Sequence, residues 1–275
     1  MPVISEREMN LVVYPLLDRI VRQYQEKKTV IIGIQGGQGT GKTTLAKMLS
    51  ELLKAKQFTV QLFSIDNFYS SNKERKQLAR RYPDNQFYQI PRGMPGTHRI
   101  GLLRKTLKSI AAGQPFKIPL FDKSLNHGEG DITANEITVI ERPDFVLFEG
   151  WCLGLPSFTL PELKRICQKS KINLPQLDPR GTSTKLLLAY SKKYRPLWKY
   201  LDYLVQLVPE SSSLHLKWRL QQEAELKQKK GEGQTIKQII QFVTVFLPLT
   251  YLCYEKLKPD LKIKINAAHQ FYDLR

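Results

Sequence analysis

One stretch, TVIIGIQGGQGTGKTTLAKMLSELLKAK at residues 29–56, restricts the possible folds more than any other. Thr29 to Ile34 are apolar, mostly β-branched and too few to form a helix, so they predict a buried strand. Leu45, Met48, Leu49, Leu52 and Leu53 recur at helical spacing. Between strand and helix, Gly36-Gly37-Gln38-Gly39-Thr40-Gly41-Lys42-Thr43 fits G-x-x-x-x-G-K-[ST]. Glycines let successive main-chain N–H groups turn toward one anion, and the helix N-terminus adds free donors and partial positive charge. Lys42 is placed to reach β- and γ-phosphates, Thr43 offers a hydroxyl to Mg²⁺, and Thr44 extends the first helical turn beside them.

The rest of the chain reads as repeats of strand and helix. An amphipathic helix is expected over residues 5–27, broken or kinked at Pro15. Phe58 to Ile65 predict a second strand, with Asp66 at its carboxyl end facing the nucleotide phosphates or capping the next turn. A charged helix follows over 71–82, then a Pro-, Gly- and Asn-rich loop carrying Arg92, His98 and Arg99. Residues 99–112 read as a helix, and 115–140 as an extended excursion with Asp122, Lys123, Ser124 and a solvated His127. Asp144 to Gly150 form an apolar strand closed by Glu149, the Walker B pattern in which an acid holds Mg²⁺ directly or through water.

Residues 155–182 hold Pro156, Pro161, Pro175, Pro179 and Gly181 and read as irregular. A helix over 185–199, a strand over 202–208 and a polar helix from a Ser211–Ser213 cap to about Lys230 follow. Gly231 and Gly233 stop that helix, and another runs over 235–257, bent at Pro248. Leu261 to Ile265 alternate apolar and basic, predicting a last strand at the sheet edge. Such β-α alternation implies an α/β fold with a mainly parallel sheet and helices on both faces.

Composition limits the partners. The formal net charge is +18 at pH 7, which suits anionic substrates; Lys185, Lys192, Lys193, Arg195 and Lys199 make one local basic cluster. No recognisable nucleic-acid module accompanies it. Three scattered cysteines, Cys152, Cys167 and Cys253, show neither disulfide nor metal spacing. No apolar run reads as membrane-spanning, and residues 1–10 carry no secretory or transit pattern. These readings point to a reduced, cytoplasmic protein with no membrane partner.

Seven segments then resemble D-glycerate 3-kinases of the plant and cyanobacterial type. They are GGQGTGKTTL (36–45), SIDNFY (64–69), RGMPGTH (92–98), KIPLFDKS with GEGD (117–131), VLFEGWCLG (146–154), YRPLWKYLDYL (194–204) and KWRLQQE (217–223), in family order. That family sits with phosphoribulokinase, uridine kinase and pantothenate kinase. The resemblance implies a single P-loop NTPase domain over 1–275, a three-layer sandwich around a five-stranded sheet of order 2-3-1-4-5. It implies a substrate-side excursion at about 83–140, an insertion at about 155–183 and a lid helix at about 211–230. It implies phosphoryl transfer from ATP with Mg²⁺ to the 3-hydroxyl of D-glycerate.

Carried onto this chain, Gly36 to Thr44 hold ATP, and Lys42, Asp66, Glu149 and Arg219 are catalytic. Thr43, Asp66 and Glu149 serve the metal, with Asp66 and Glu149 interchangeable as base and metal partner. Arg92, His98 and Lys123 are candidates for the acceptor's carboxylate. Two positions depart from the pattern: Arg99 stands where an acid follows Gly-Thr-His, and GEGQT (231–235) precedes the last long helix. Alternative readings are a kinase of this fold acting on pantothenate, uridine or a sugar phosphate, and a nucleotide-dependent nucleic-acid-binding protein.

Overall fold

The computed structural model describes residues 4–211, 213–230 and 235–275. Eight strands are present among them: β1 (Val30–Gly36), β2 (Val60–Ser64), β3 (Phe116–Asp122), β4 (Asp131–Val139), β5 (Phe145–Gly150), β6 (Tyr203–Pro209), β7 (Leu261–Ile265) and β8 (Phe271–Leu274). Six build one sheet in the order β2-β5-β1-β6-β7-β8. Its first five strands are parallel and follow the expected 2-3-1-4-5 order; β8 then adds antiparallel to β7. The expectation that β7 is the edge is therefore corrected. Lys262 and Lys264 lie half-buried between the strand's apolar residues, and Lys264 pairs with Asp273 of β8 at 3.9 Å.

The central strand is buried along its whole length because both faces are covered. Ile31 packs with Phe63, Val146 and Phe148 in one core, whereas Val30, Ile32 and Ile34 pack with Leu45, Leu49, Leu147 and Val205 in the other. Period-2 alternation thus places successive residues of β1 in opposite layers. Parallel register sets Glu149 opposite both Ile34 and Ser64. The carboxyl ends of β1, β2 and β5 consequently deliver Gly36, Asp66 and Glu149 to one rim of the sheet, where ligands of open α/β sheets bind.

Several local expectations change. The N-terminal helix is Glu6–Glu8, a π-turn Met9–Val13 and Tyr14–Val21. The wide turn lies just before Pro15, which enters the second helix at its start, where its missing N–H is tolerated. Buried Glu8 ties this helix to β8, its Oε1 accepting from the Phe271 N–H at 2.9 Å. The excursion is an antiparallel hairpin of β3 and β4. The stretch read as irregular contains a helix, Leu160–Lys169, opened by a Thr159/Glu162 capping box with Pro161 in its first turn. Leu163, Ile166 and Cys167 form its buried stripe.

Helix Thr182–Lys192 and the 3-10 turn Arg195–Tyr200 divide what reads as one helix over 185–199. The basic residues there are exposed. Helix Ile236–Lys256 runs on through Pro248 and, against the sequence reading, is long and apolar enough to cross a membrane by length and composition. It also buries Val245, Phe246, Leu249, Leu252 and Cys253 in the core. Ser212 of the expected cap and the GEG stop of the preceding helix lie outside the described residues.

Candidate active site

The phosphate loop is shaped by two left-handed glycines. Gly39 has φ +75° and Gly41, the N-cap of helix Lys42–Ala55, has φ +83°. Thr40 Oγ1 donates to the Gly37 carbonyl at 2.9 Å, and Lys42 Nζ donates to the same oxygen at 2.9 Å. The Lys42 ammonium is thereby held along the loop. Burial lowers its pKa, opposed by the carboxylates of Glu149 and Asp66. In the first turn of the helix, Thr43 Oγ1 donates to Glu149 Oε1 at 3.2 Å, so hydroxyl and carboxylate oxygens converge beside the loop.

Asp66 lies in the 3-10 turn Ile65–Phe68 that follows β2. Lys123, from the hairpin, reaches Asp66 Oδ2 at 2.6 Å. Burial acts to raise the Asp66 pKa, but the Lys123 ammonium, with help from the Tyr69 hydroxyl, holds it below the ordinary carboxylate value. Tyr69 forms an isolated antiparallel bridge with His98, and their rings stack at 4.3 Å. Arg99, the next residue, feels the charge of Glu74 and stands at the start of helix Ile100–Ala111. Arg92 donates to the Gly128 carbonyl at 2.7 Å at the hairpin tip. His98, Lys123 and Asp66 therefore come together through Tyr69, and Arg92 joins the hairpin to their border.

The loop carrying Arg92 is fastened by buried Arg75. Its guanidinium donates to the carbonyls of Pro91, Ser70, Glu129 and Gly130 and lies 5.1 Å from the Phe121 ring centroid. Helix Leu214–Lys230 lies over the phosphate loop, with Trp218 Cβ 3.0 Å from where a Gly39 side chain would begin. Arg219, on the next stripe, pairs with Glu223 at 2.9 Å and sits 5.9 Å from the Phe242 ring centroid. His215 Nδ1 bonds the Gln38 carbonyl at 2.8 Å, and its Nε2 meets the Tyr254 hydroxyl at 3.1 Å. The Gly37 N–H donates to that hydroxyl at 3.1 Å.

Tyr69, His215, Trp218 and Tyr254 pack against Asp66 or the phosphate loop, and motif reading does not single them out. KWRLQQE contains Trp218, and the Leu214, His215 and Trp218 spacing marks a buried helix face. Tyr254, 39 residues from His215, gives no such local signal.

Comparison with known proteins decides the family. Residues 31–155 match the Phosphoribulokinase / Uridine kinase family. An uncharacterized kinase of Schizosaccharomyces pombe, mug58, is 32% identical over 237 residues, covering 81% of this chain and 80% of that protein. The chain belongs to the phosphoribulokinase/uridine kinase family. This kinase is also 30% identical over 225 residues to the chloroplastic D-glycerate 3-kinase of Arabidopsis thaliana, covering 80% of its own chain and 46% of the relative's length. The solved D-glycerate 3-kinase of Cryptococcus neoformans superposes with a TM-score of 0.80 at 27% identity, with 96% of each chain covered. As an ATP-dependent phosphotransferase with an alcohol acceptor, the kinase places its phosphate loop, Asp66 and Glu149 on one sheet rim.

Proposed function

We propose that this kinase transfers the γ-phosphoryl group of ATP to the 3-hydroxyl of D-glycerate. The observation that carries the reading is the separation of the two acids. Glu149 is bonded to Thr43 of the phosphate loop, whereas Asp66 is bonded to Lys123 and Tyr69 on the side of the Gly-Thr-His loop. Similarity to the Arabidopsis and Cryptococcus D-glycerate 3-kinases supports the acceptor.

Hard oxygen donors at Thr43 and Glu149 suit Mg²⁺, and the family's use of ATP calls for one. When bound, the ion would neutralise charge on the β- and γ-phosphates. The chain's own residues then do the following. The loop N–H groups and Lys42 bind the phosphates. Asp66, kept ionised, accepts the hydrogen bond of the acceptor hydroxyl and takes its proton as the new O–P bond forms and the bond from the γ-phosphorus to the bridging oxygen breaks, leaving ADP. Lys123, His98 and Arg92 surround the acceptor's carboxylate. Arg219, released from Glu223, closes over the transferring group. Phosphoryl transfer asks for alignment and charge neutralisation more than for a strong base, so a low Asp66 pKa is no obstacle. All three cysteines are free and buried, in keeping with a reducing compartment such as the cytosol.

The test is ADP release with Mg²⁺-ATP over a panel of D-glycerate, L-glycerate, pantothenate, uridine, ribulose 5-phosphate and no acceptor. Stimulation by D-glycerate is expected, and Lys42→Ala is expected to lower kcat on the order of 10²–10³-fold. Stimulation by another acceptor alone would remove the glycerate reading; near-normal turnover in the Lys42 variant would remove the phosphate role of that lysine.

A further inference from the structure

Tyr194 is fully buried just before the turn Arg195–Tyr200, and its hydroxyl meets the Gly-Thr-His loop at the main chain of Gly96 and of His98 and at the His98 ring. The Gly96 N–H donates to it at 3.0 Å, and His98 Nδ1 lies 2.8 Å away. A main-chain N–H has no choice of role, so the hydroxyl oxygen accepts there. The hydroxyl's own proton then needs an acceptor. Among the described residues His98 Nδ1 is the group within reach. If Nδ1 accepts, a neutral imidazole must carry its hydrogen on Nε2.

Nε2 is buried and has no partner among the described residues. The ring cannot turn to find one cheaply. Its main chain is bridged to Tyr69, one face lies on the Tyr69 ring at 4.3 Å, and the Tyr194 ring meets it edge-on at 5.7 Å. Tyr69 in turn touches the Asp66 carboxylate. A fixed, unsatisfied donor therefore stands beside the residues that handle the acceptor. Buried donors are ordinarily paired, so one left open at such a place calls for a partner beyond the described residues.

We propose that Tyr194 is a positioning residue: it locks His98 as the Nε2–H tautomer, so that the neutral imidazole donates to an oxygen of the acceptor substrate and Asp66 alone serves as base. The proposal rests on the glycerate reading for the identity of that oxygen, a carboxylate oxygen in D-glycerate. The tautomer itself does not depend on it. Burial agrees with a neutral ring, lowering the His98 pKa to about 4. The insertion and the helix after it thereby gain a role, since the chain they lead into supplies Tyr194.

Two-bond ¹H–¹⁵N spectra of labelled protein without substrate read the tautomer directly, the His98 signals being those lost in His98→Gln. A protonated Nε2 with a pyridine-type Nδ1 is expected in the unsubstituted protein, and a mixture of tautomers in Tyr194→Phe. In kinetics, Tyr194→Phe is expected to raise KM for D-glycerate about tenfold while changing kcat and the KM for ATP far less. His98→Gln, whose amide keeps a donor, is expected to retain more acceptor affinity than His98→Leu. A protonated Nδ1 in the unsubstituted protein, or equal acceptor affinity in the two His98 variants, overturns the proposal. A protein showing the expected tautomer but no D-glycerate turnover would overturn the acceptor assignment and leave the Tyr194–His98 device standing.

Discussion

Tyr254 donates its hydroxyl proton to His215 Nε2, and the pair brackets one segment of the phosphate loop between them. The direction follows from the ends of the chain of bonds. The Gln38 carbonyl can only accept, so His215 Nδ1 carries the hydrogen; burial lowers the His215 pKa to about 4, so Nε2 is free to accept. The Tyr254 oxygen then receives the Gly37 N–H and passes its own proton to Nε2. Gly37 N–H and Gln38 C=O are thus closed into one ring of hydrogen bonds with two helices.

Breaking that ring loosens the loop. Tyr254→Phe leaves the Gly37 N–H and His215 Nε2 without partners, an effect of about 1–3 kcal/mol when such groups stay buried. The expected readout is a weaker ATP affinity in Tyr254→Phe and in His215→Ala, with the double variant no worse than either alone. A double-mutant cycle with additive losses would show that the two residues act separately.

Lys123 sets the charge of Asp66. With the ammonium removed, desolvation of the carboxylate is less opposed and its pKa rises. With Asp66 as the proposed base, activity requires the ionised form, so the acid limb of the kcat/KM profile of Lys123→Ala should move to higher pH. An acid limb that stays in place would mean that Asp66 titrates independently of Lys123, or that another group governs the limb.

Gly93 is needed where it stands. Its φ is +119°, and an added Cβ would lie 2.2 Å from the Phe246 ring. Gly93→Ala should destabilise the protein by roughly 1–3 kcal/mol from backbone strain alone, before the ring clash is counted. Thermal unfolding reads this loss. Acceptor KM should rise with it, since the loop carries Arg92 and His98; an unchanged Tm would show that the loop relaxes freely.

The sequence makes some of this legible and hides the rest. The strand, loop and helix around Gly36–Thr43 are readable because each residue type there answers a local demand, for φ, for charge or for burial. Asp66 and Glu149 are readable because apolar strands end on them. Leu160–Lys169 is open to the same reading, since Thr159-Leu-Pro-Glu162 is a capping box, but four prolines across the segment outweigh it. β8 is only four residues long and carries no periodic signal. The Tyr254–His215 and Tyr194–His98 contacts join residues 39 and 96 positions apart, and only packing brings them together.

The bond from Phe271 N–H to Glu8 Oε1 also bears on how the molecule would carry load. The first helix and the last strand meet at one corner, so a tension applied at the two ends of the chain enters and leaves there. β1, clamped between β5 and β6 with the phosphate loop at its tip, is separated from that corner by β6 and β7.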